Sequence, residues 1–336
     1  SNRMKNTPKI AVLGGGSWAT AIVKMLSENK VKIRWALRSE SDINHIKKYQ
    51  NNPRYLSSVH IKLDKVSPTS NVREAVTGSD YIVIAIPSAF VPDALKSLTS
   101  DDFRGKKVVS AVKGLILEQN ETVTAYVARK YGVPQKRLFV IAGPCHAEEV
   151  AFERQSYLTI ASKKLKKADK FAKLLGSRYV KVSPNDDPQG VQLCAAIKNI
   201  IAIACGISNA LNYGDNFNAV LVANALQETK RFLDKACPHP TRDLNSSAYL
   251  GDLLVTTYSQ FSRNRTLGNM VGKGYSVKSA QVEMNMIAEG YYAVNAIYQK
   301  NKKFQVQMPV VRSVYNILYE RISPIIEMQI LKGILR

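Results

Sequence analysis

The 336-residue sequence predicts an α/β fold, with a doubly wound parallel sheet in residues 1–188 followed by an all-α domain in 189–336. Three observations predict it. Short, nearly continuous apolar runs alternate with helical patterns through the first half, as parallel strands joined by crossover helices do. A glycine-rich turn sits at the first strand-to-helix junction. Beyond Ser183-Pro184-Asn185-Asp186-Asp187-Pro188, two prolines among turn formers, only helical periodicity remains.

KIAVLG (9–14), KIRWAL (32–37), YIVIAIP (81–87), KVVSAV (107–112) and LFVIAG (138–143) read as strands buried on both faces. Helical segments fall near 18–29, 89–99 and 119–131. LTIAS (158–162) and YVKVSP (179–184) extend the sheet and flank KKLKKADKFAKLL (163–175). In that run Leu165, Ala168, Ala172 and Leu175 stand three or four apart and make one apolar face, which leaves the lysines on a solvated outer face. The longest apolar stretch, Val191 to about Leu211, carries Gln192, Lys198 and Asn199. A charge at a bilayer centre costs at least about 2.5–3.5 kcal/mol, so a helix packed inside a protein is predicted and not a membrane span.

A composition of 45% hydrophobic and 22% charged residues is that of a globular chain with a sizeable core. Cys145, Cys194, Cys205 and Cys237 form no CxxC pair and no zinc-ligand spacing with histidine, so neither metal nor disulfide framework is expected and a cytoplasmic setting fits. The opening residues SNRMK lack the apolar core of a signal peptide and are set aside from the fold argument. Lysine and arginine number 48 against 26 acids, a formal charge of +22, which admits nucleic acid, an anionic membrane surface or small anionic substrates as partners. No exposed aromatics interleave with the lysines, so specific nucleic-acid binding is not expected.

KIAVLGGGSWATAIVKML places Gly14-x-Gly16-x-x-Ala19 between first strand and first helix, the Rossmann-type dinucleotide turn in the context it requires. Gly14 allows the tight turn, Gly16 lets backbone approach a pyrophosphate, and Ala19 lets helix and strand pack closely. The helix N-terminus then offers N–H groups and a favourable dipole to the phosphates. The second strand ends in RWALRSE, with Arg38 where an NAD-binding chain would show an acid. An arginine there suits the 2′-phosphate of NADP and favours NADPH over NADH, although Glu40 is within reach of a ribose.

Ligands of an open α/β sheet sit beyond the carboxyl ends of the strands. Pro87-Ser88, Lys113-Gly114 and Gly143-Pro144-Cys145-His146-Ala147 fall there. Lys198 has Cys194, Ala195, Ile201 and Ala202 as its helical neighbours, so its ammonium is not on an ordinary wet face. A lysine so placed can exchange a proton with a substrate. In GDLLVTTYSQFSRNR, Asp252 and Thr256 share a helix face, and Asp252 can pair with a lysine. Ser262-Arg263-Asn264 follows, a permanently charged planar fork for phosphate with neutral donors on either side. Asn199 is expected to help position Lys198. Cys145 beside His146 has the look of a nucleophile with its base, but adjacent residues on an extended turn point apart.

GGGSWATA, GPCHA, AAIKNIIAIACGI, GDLLVT, SRN and AEG together resemble the bacterial-type NAD(P)-dependent glycerol-3-phosphate dehydrogenases, in order and over nearly the whole chain. The resemblance implies interconversion of dihydroxyacetone phosphate and sn-glycerol 3-phosphate, mainly toward the latter for phospholipid synthesis, by a metal-free homodimer. It implies Lys198 as proton donor and acceptor, Asp252 as its support and Lys113 as a group polarising the substrate oxygens. Ser262, Arg263 and Asn264 would bind the phosphate end, with Gly143 and Cys145 also touching substrate. Ser17, Trp18, Arg38, Tyr55, Lys113, Ala147, Arg263, Ile287 and Glu289 match positions near the nucleotide. Two departures stand out: Cys145 replaces a usual hydroxyl residue, and Ala19 a common glycine. The rival readings are a related β-hydroxyacid-type reductase acting on a carboxylate, and a nucleotide-gated protein that binds nucleic acid or anionic lipid.

Overall fold

The computed structural model describes residues 6–259, 262–285 and 288–336. The chain divides into two compact units: Ser1–Ile86, Phe90–Val112 and Val123–Pro188 form the first, and Pro87–Ala89, Lys113–Thr122 and Gln189–Arg336 the second. A single uninterrupted boundary at 188/189 was expected; two short loops at strand ends, those carrying Ser88 and Lys113, instead group with the second unit.

The first unit runs β1 (Lys9–Leu13), α1 (Ser17–Ser27), β2 (Lys32–Ala36), α2 (Glu40–Tyr49), β3 (Val66–Thr69), α3 (Val72–Val76), β4 (Tyr81–Ile84), α4 (Val91–Leu95), β5 (Lys107–Ser110), α5 (Val123–Tyr131), β6 (Leu138–Ala142), α6 (Ala147–Ala151), β7 (Ser156–Ala161), α7 (Leu165–Leu175) and β8 (Val180–Asn185). The eight strands lie in the order β3-β2-β1-β4-β5-β6-β7-β8. β1 to β6 pair in parallel, whereas β7 runs antiparallel to β6 and β8 parallels β7. The sheet is therefore mixed at that margin and not parallel throughout.

Other expectations need correcting. β2 is not buried on both faces, since Lys32 and Arg34 are exposed on one of them. Leu165 is 47% exposed, and Phe171 takes its place in the apolar face of α7 with Ala168, Ala172 and Leu175. β3, α2 and α3 were not expected. Ser39 and Asn71 cap α2 and α3 by accepting from the backbone N–H groups of Asp42 and Glu74.

The second unit holds α8 (Pro188–Ala210), α9 (Asp215–Ala236), α10 (Asp252–Tyr258), α11 (Arg263–Gly272), α12 (Val277–Met284), α13 (Glu289–Phe304), α14 (Pro309–Leu318) and α15 (Pro324–Ile334). α8 is long and apolar enough to cross a membrane by length and composition, yet 94% of its most apolar window is buried inside the protein. α8 and α11 approach until backbone meets backbone. A Cβ at Gly206 would strike Arg265 O, and one at Gly268 would strike Ile203 O, with Ile207 N only 3.0 Å away. At Gly290 a Cβ would lie 2.7 Å from Asn199 O and 2.8 Å from Asn264 Oδ1.

These contacts predict opposite outcomes for two glycines. Gly268→Ala forces two helix backbones apart and is expected to cost about 1–3 kcal/mol in urea unfolding. Gly333→Ala, in α15 with nothing within 4 Å of its Cβ, is expected to stabilise by about 0.5–1 kcal/mol.

Candidate active site

The first unit builds its site at the turn from β1 into α1. Gly14 has φ +131°, and a Cβ there would collide with Ala85 O, so no side chain is tolerated. Gly14 N–H donates to Ala36 O at 3.0 Å, and Trp35 Nε1–H donates to Gly14 O at 2.6 Å. Nothing lies within 4 Å of a Cβ built on Gly16, the N-cap of α1. No side chain caps that helix and its first turn holds no acid, which leaves the end of the macrodipole fit for a pyrophosphate. Ser17 is buried and Trp18 half-buried at this end.

Asn52, which the sequence did not mark, organises the turn. Its buried amide donates to Gly15 O at 3.1 Å and to Thr20 Oγ1 at 3.0 Å, and its Oδ1 accepts from the backbone N–H groups of Arg54 and Tyr55. Asn52 thus ties the glycine turn to the loop bearing Tyr55, itself half-buried. A lone asparagine in QNNPRY carries no sequence signal for that role.

Arg38 is exposed just past β2. The hydrogen bond and charge of Lys96 hold the Asp93 carboxyl below its usual range, and Arg38 adds a smaller pull in the same direction. Glu40 accepts from Ser70 Oγ at the start of α2. At the end of β6, Gly143 has φ +124° and a Cβ there would be 2.8 Å from Tyr157 O. Cys145 is buried with Sγ 4.0 Å from His146 O, and Ala147 is the buried first residue of α6.

In the second unit Lys198 and Asp252 are both buried, with Nζ 2.6 Å from Oδ1. Thr256 is buried one turn after Asp252 on α10. Asn199 does not turn toward Lys198, because consecutive helical residues diverge by about 100°. Its Nδ2 instead donates to Lys113 O at 2.6 Å and fixes the loop that presents Lys113. Lys113 is half-buried, and the glycine after it packs against two side chains: a Cβ at Gly114 would meet Glu289 Oε2 and lie 2.8 Å from Ser88 Oγ, so it would displace the Ser88–Glu289 pair.

Glu289 opens α13. It accepts from Ser88 N–H at 2.9 Å and Ser88 Oγ–H at 2.5 Å. Burial pushes its carboxyl above the usual range, against the Ser88 hydrogen bonds and the charges of Arg263 and Lys113, which pull the other way. Both cations therefore lie within electrostatic reach of Glu289. Ser88, visible in the sequence only as a strand end, is the residue that holds it.

Arg263 begins α11, directly after Ser262, whose Oγ caps the helix by accepting from Arg265 N–H at 3.1 Å. Asn264 is buried and its Oδ1 accepts from Gly290 N–H at 2.7 Å, which leaves Nδ2 as the donor end. Ile287 lies outside the described residues. Among the described residues, no group of three or more His, Cys, Asp or Glu could hold a metal ion.

A dinucleotide turn on a doubly wound sheet, with a helical unit carrying a carboxylate-paired lysine and further cations, defines the class of two-domain NAD(P)-dependent dehydrogenases. The comparisons specify it further. Residues 9–168 match the family model for the N-terminus of NAD-dependent glycerol-3-phosphate dehydrogenase, and residues 187–329 match that for its C-terminus. The chain is 33% identical over 316 residues to glycerol-3-phosphate dehydrogenase [NAD(P)+] of Bacillus velezensis, covering 93% of this chain and 90% of the relative. The Bacillus subtilis protein of the same description is 32% identical over 331 residues, covering 97% and 94%. The crystal structure of glycerol-3-phosphate dehydrogenase from Coxiella burnetii superposes with a TM-score of 0.90 at 28% identity, over 97% of this chain and 98% of that one. The chain belongs to the NAD-dependent glycerol-3-phosphate dehydrogenase family.

Removing one partner of a buried ion pair strands the other, at about 3–5 kcal/mol. Asp252→Ala is expected to lose that much in urea unfolding. A loss below about 1 kcal/mol would mean that water reaches Lys198.

Proposed function

We propose that the protein catalyses the NAD(P)H-dependent interconversion of dihydroxyacetone phosphate and sn-glycerol 3-phosphate, and so supplies glycerol 3-phosphate for phospholipid synthesis. The observation that carries the catalytic assignment is the buried Lys198–Asp252 pair at 2.6 Å. A bound reduced nicotinamide supplies the hydride. Lys198 delivers a proton to the carbonyl oxygen as the adjacent carbon is reduced, and takes it back in oxidation. Asp252 orients the ammonium, and Thr256 lines the same face of α10.

Lys113, fixed through its carbonyl by Asn199, polarises the substrate oxygens. Arg263 takes the phosphate with its planar fork, and Ser262 and Asn264 Nδ2 add donors. Gly143 and Cys145 are proposed to touch the same substrate, Cys145 by backbone in place of a hydroxyl. The turn from Gly14 to Trp18 and the residues Tyr55, Ala147 and Glu289 would hold the nucleotide. Ile287 belongs to the same expectation. On the family resemblance alone, the working form is a cytoplasmic homodimer.

Arg38 supports a preference for NADPH: its guanidinium is exposed to meet a 2′-phosphate, while the competing Glu40 is engaged by Ser70.

Lys198→Ala is expected to abolish turnover while cofactor binding, read by quenching of protein fluorescence, survives; appreciable residual turnover would remove Lys198 from the proton transfer. Arg263→Ala should chiefly raise KM for dihydroxyacetone phosphate, by about tenfold or more for the loss of a charge-assisted pair. For Arg38→Ala, KM for NADPH should rise with that for NADH little changed, and an unaltered ratio would take Arg38 out of the role.

A further inference from the structure

Most of the cations behind the +22 charge, those of the lysine-rich α7 among them, play no part in the chemistry above. Their placement in the first unit is not random. Five of the six strands that run in one direction are entered through a cation: Lys9 and Lys32 open β1 and β2, Lys65 precedes β3, Lys107 opens β5 and Arg137 precedes β6. Only β4 is entered through an acid, Asp80, whose carboxylate accepts from the Lys9 backbone N–H at 2.9 Å. β7 runs the other way, so its exit reaches the same edge and is followed by Lys163 and Lys164 and the first turns of α7.

Parallel strands lie about 4.8 Å apart, so the amino ends of these strands present a row of cations interrupted at β4 by Asp80 and bounded beyond β8 by Asp186 and Asp187. Lys9 and Lys32 stand directly opposite in register, which costs energy unless an anion compensates. Lys107 is held below the usual lysine range first by burial and then by Lys170 and Lys167, against the opposing pull of Asp80, with Arg137 adding a smaller push. Lys106 is lowered by burial, and Arg34 adds to that against the opposing pull of Asp102. A cavity of about 220 Å³ opens among Lys9, Lys32, Arg34, Lys65 and Ser67, where four cations outnumber the one acid in its lining, Asp64.

Part of this charge has an internal use. Helix C-termini come to this edge with unpaired carbonyls, and cations satisfy them. Arg34 donates to Glu74 O and Thr77 O, Lys65 to Ser27 O and Asn29 O, and Arg137 to Phe103 O and Lys106 O. Lys32, Lys136, Lys167 and Lys170 have no carboxylate or carbonyl partner among the described residues, and three of the four are exposed. Leu165, 47% exposed, stands among the lysines at the start of α7.

The geometry points to the amino-end edge of the first unit's sheet as a docking surface for an anionic phospholipid bilayer, with lipid phosphates on the strand-entry cations and Leu165 at the interface. A row of cations with an exposed aliphatic side chain suits headgroups. A single-stranded nucleic acid would call for exposed stacking aromatics along the row, and the aromatic that opens a strand there, Tyr81 of β4, is buried. The edge is at the opposite ends of the strands from the glycine turn, so docking leaves the nucleotide turn open. This inference goes beyond the catalytic reading and does not depend on it.

Cosedimentation of the full chain with vesicles of phosphatidylcholine, alone or with about one third phosphatidylglycerol, is the test. The wild-type protein should partition onto the mixed vesicles and not onto the neutral ones. Lys32→Gln/Lys136→Gln/Lys167→Gln/Lys170→Gln should lose about a hundredfold or more of that partitioning, with turnover of soluble substrate unchanged. A second variant, Lys273→Gln/Lys278→Gln/Lys303→Gln/Lys332→Gln, removes as many lysines, all of them exposed, from the helical unit and should keep most of it. Equal losses in the two variants would assign binding to net charge and not to this edge. Absence of binding, or tighter retention of duplex DNA through the same residues, would also overturn the proposal.

Discussion

The close approach of α8 to α11 is the constraint on which the helical unit depends. Gly206 and Gly268 let two helix backbones touch, and Gly290 brings the start of α13 against Asn199 O and Asn264 Oδ1. α8 carries Lys198 and Asn199, α11 begins with Arg263, and α13 begins with Glu289. Backbone-to-backbone contact leaves no flexible side chain to absorb movement, so the three chemical groups inherit the rigidity of the helices that bear them. Asn199 extends the constraint to a loop, since its amide holds Lys113 O and Gly114 packs against Ser88 and Glu289.

Within that frame the lysine must be buried to be useful and paired to be tolerated. An ammonium among the isoleucines and alanines of α8 would be costly alone, and Asp252 at 2.6 Å supplies the counter-charge. Such a pair adds little net stability, and its value in the proposed proton transfer lies in holding the ammonium in place. Glu289 performs a related task nearby. Its carboxyl group feels the charges of Arg263 and Lys113 and is held by the hydrogen bonds from Ser88.

What the sequence made legible follows from where the signal resides. β1, β2 and β4–β6 are apolar runs because strands under crossover helices need them. β3 is only VSPT, an edge strand whose Pro68 is tolerated because one side lacks a neighbour, and four such residues show no periodicity. The antiparallel direction of β7 was hidden because alternation marks a strand and not its direction. Leu165 was read into the core of α7 from spacing alone, and the face is instead completed by Phe171. Lys198 could be singled out because its neighbours are local in sequence. Asn52 and Ser88 could not, since their partners are the glycine turn and a residue 201 positions away.

The direction of the sheet would let the two proposed kinds of anion recognition coexist on one unit without competing. In a doubly wound fold the helix N-termini gather at the carboxyl ends of the strands, where backbone N–H groups can receive a pyrophosphate with few cationic side chains. The turn from Gly14 to Trp18 follows that logic and has no lysine in it. The opposite edge gathers helix C-termini, whose carbonyls attract cations, as Arg34 and Lys65 show. That requirement accounts for some positive charge there and sets a baseline against which Lys32, Lys136, Lys167 and Lys170 are an excess. Satisfying the helix ends accounts for the first group alone, and the second is the group that the proposed bilayer contact would use.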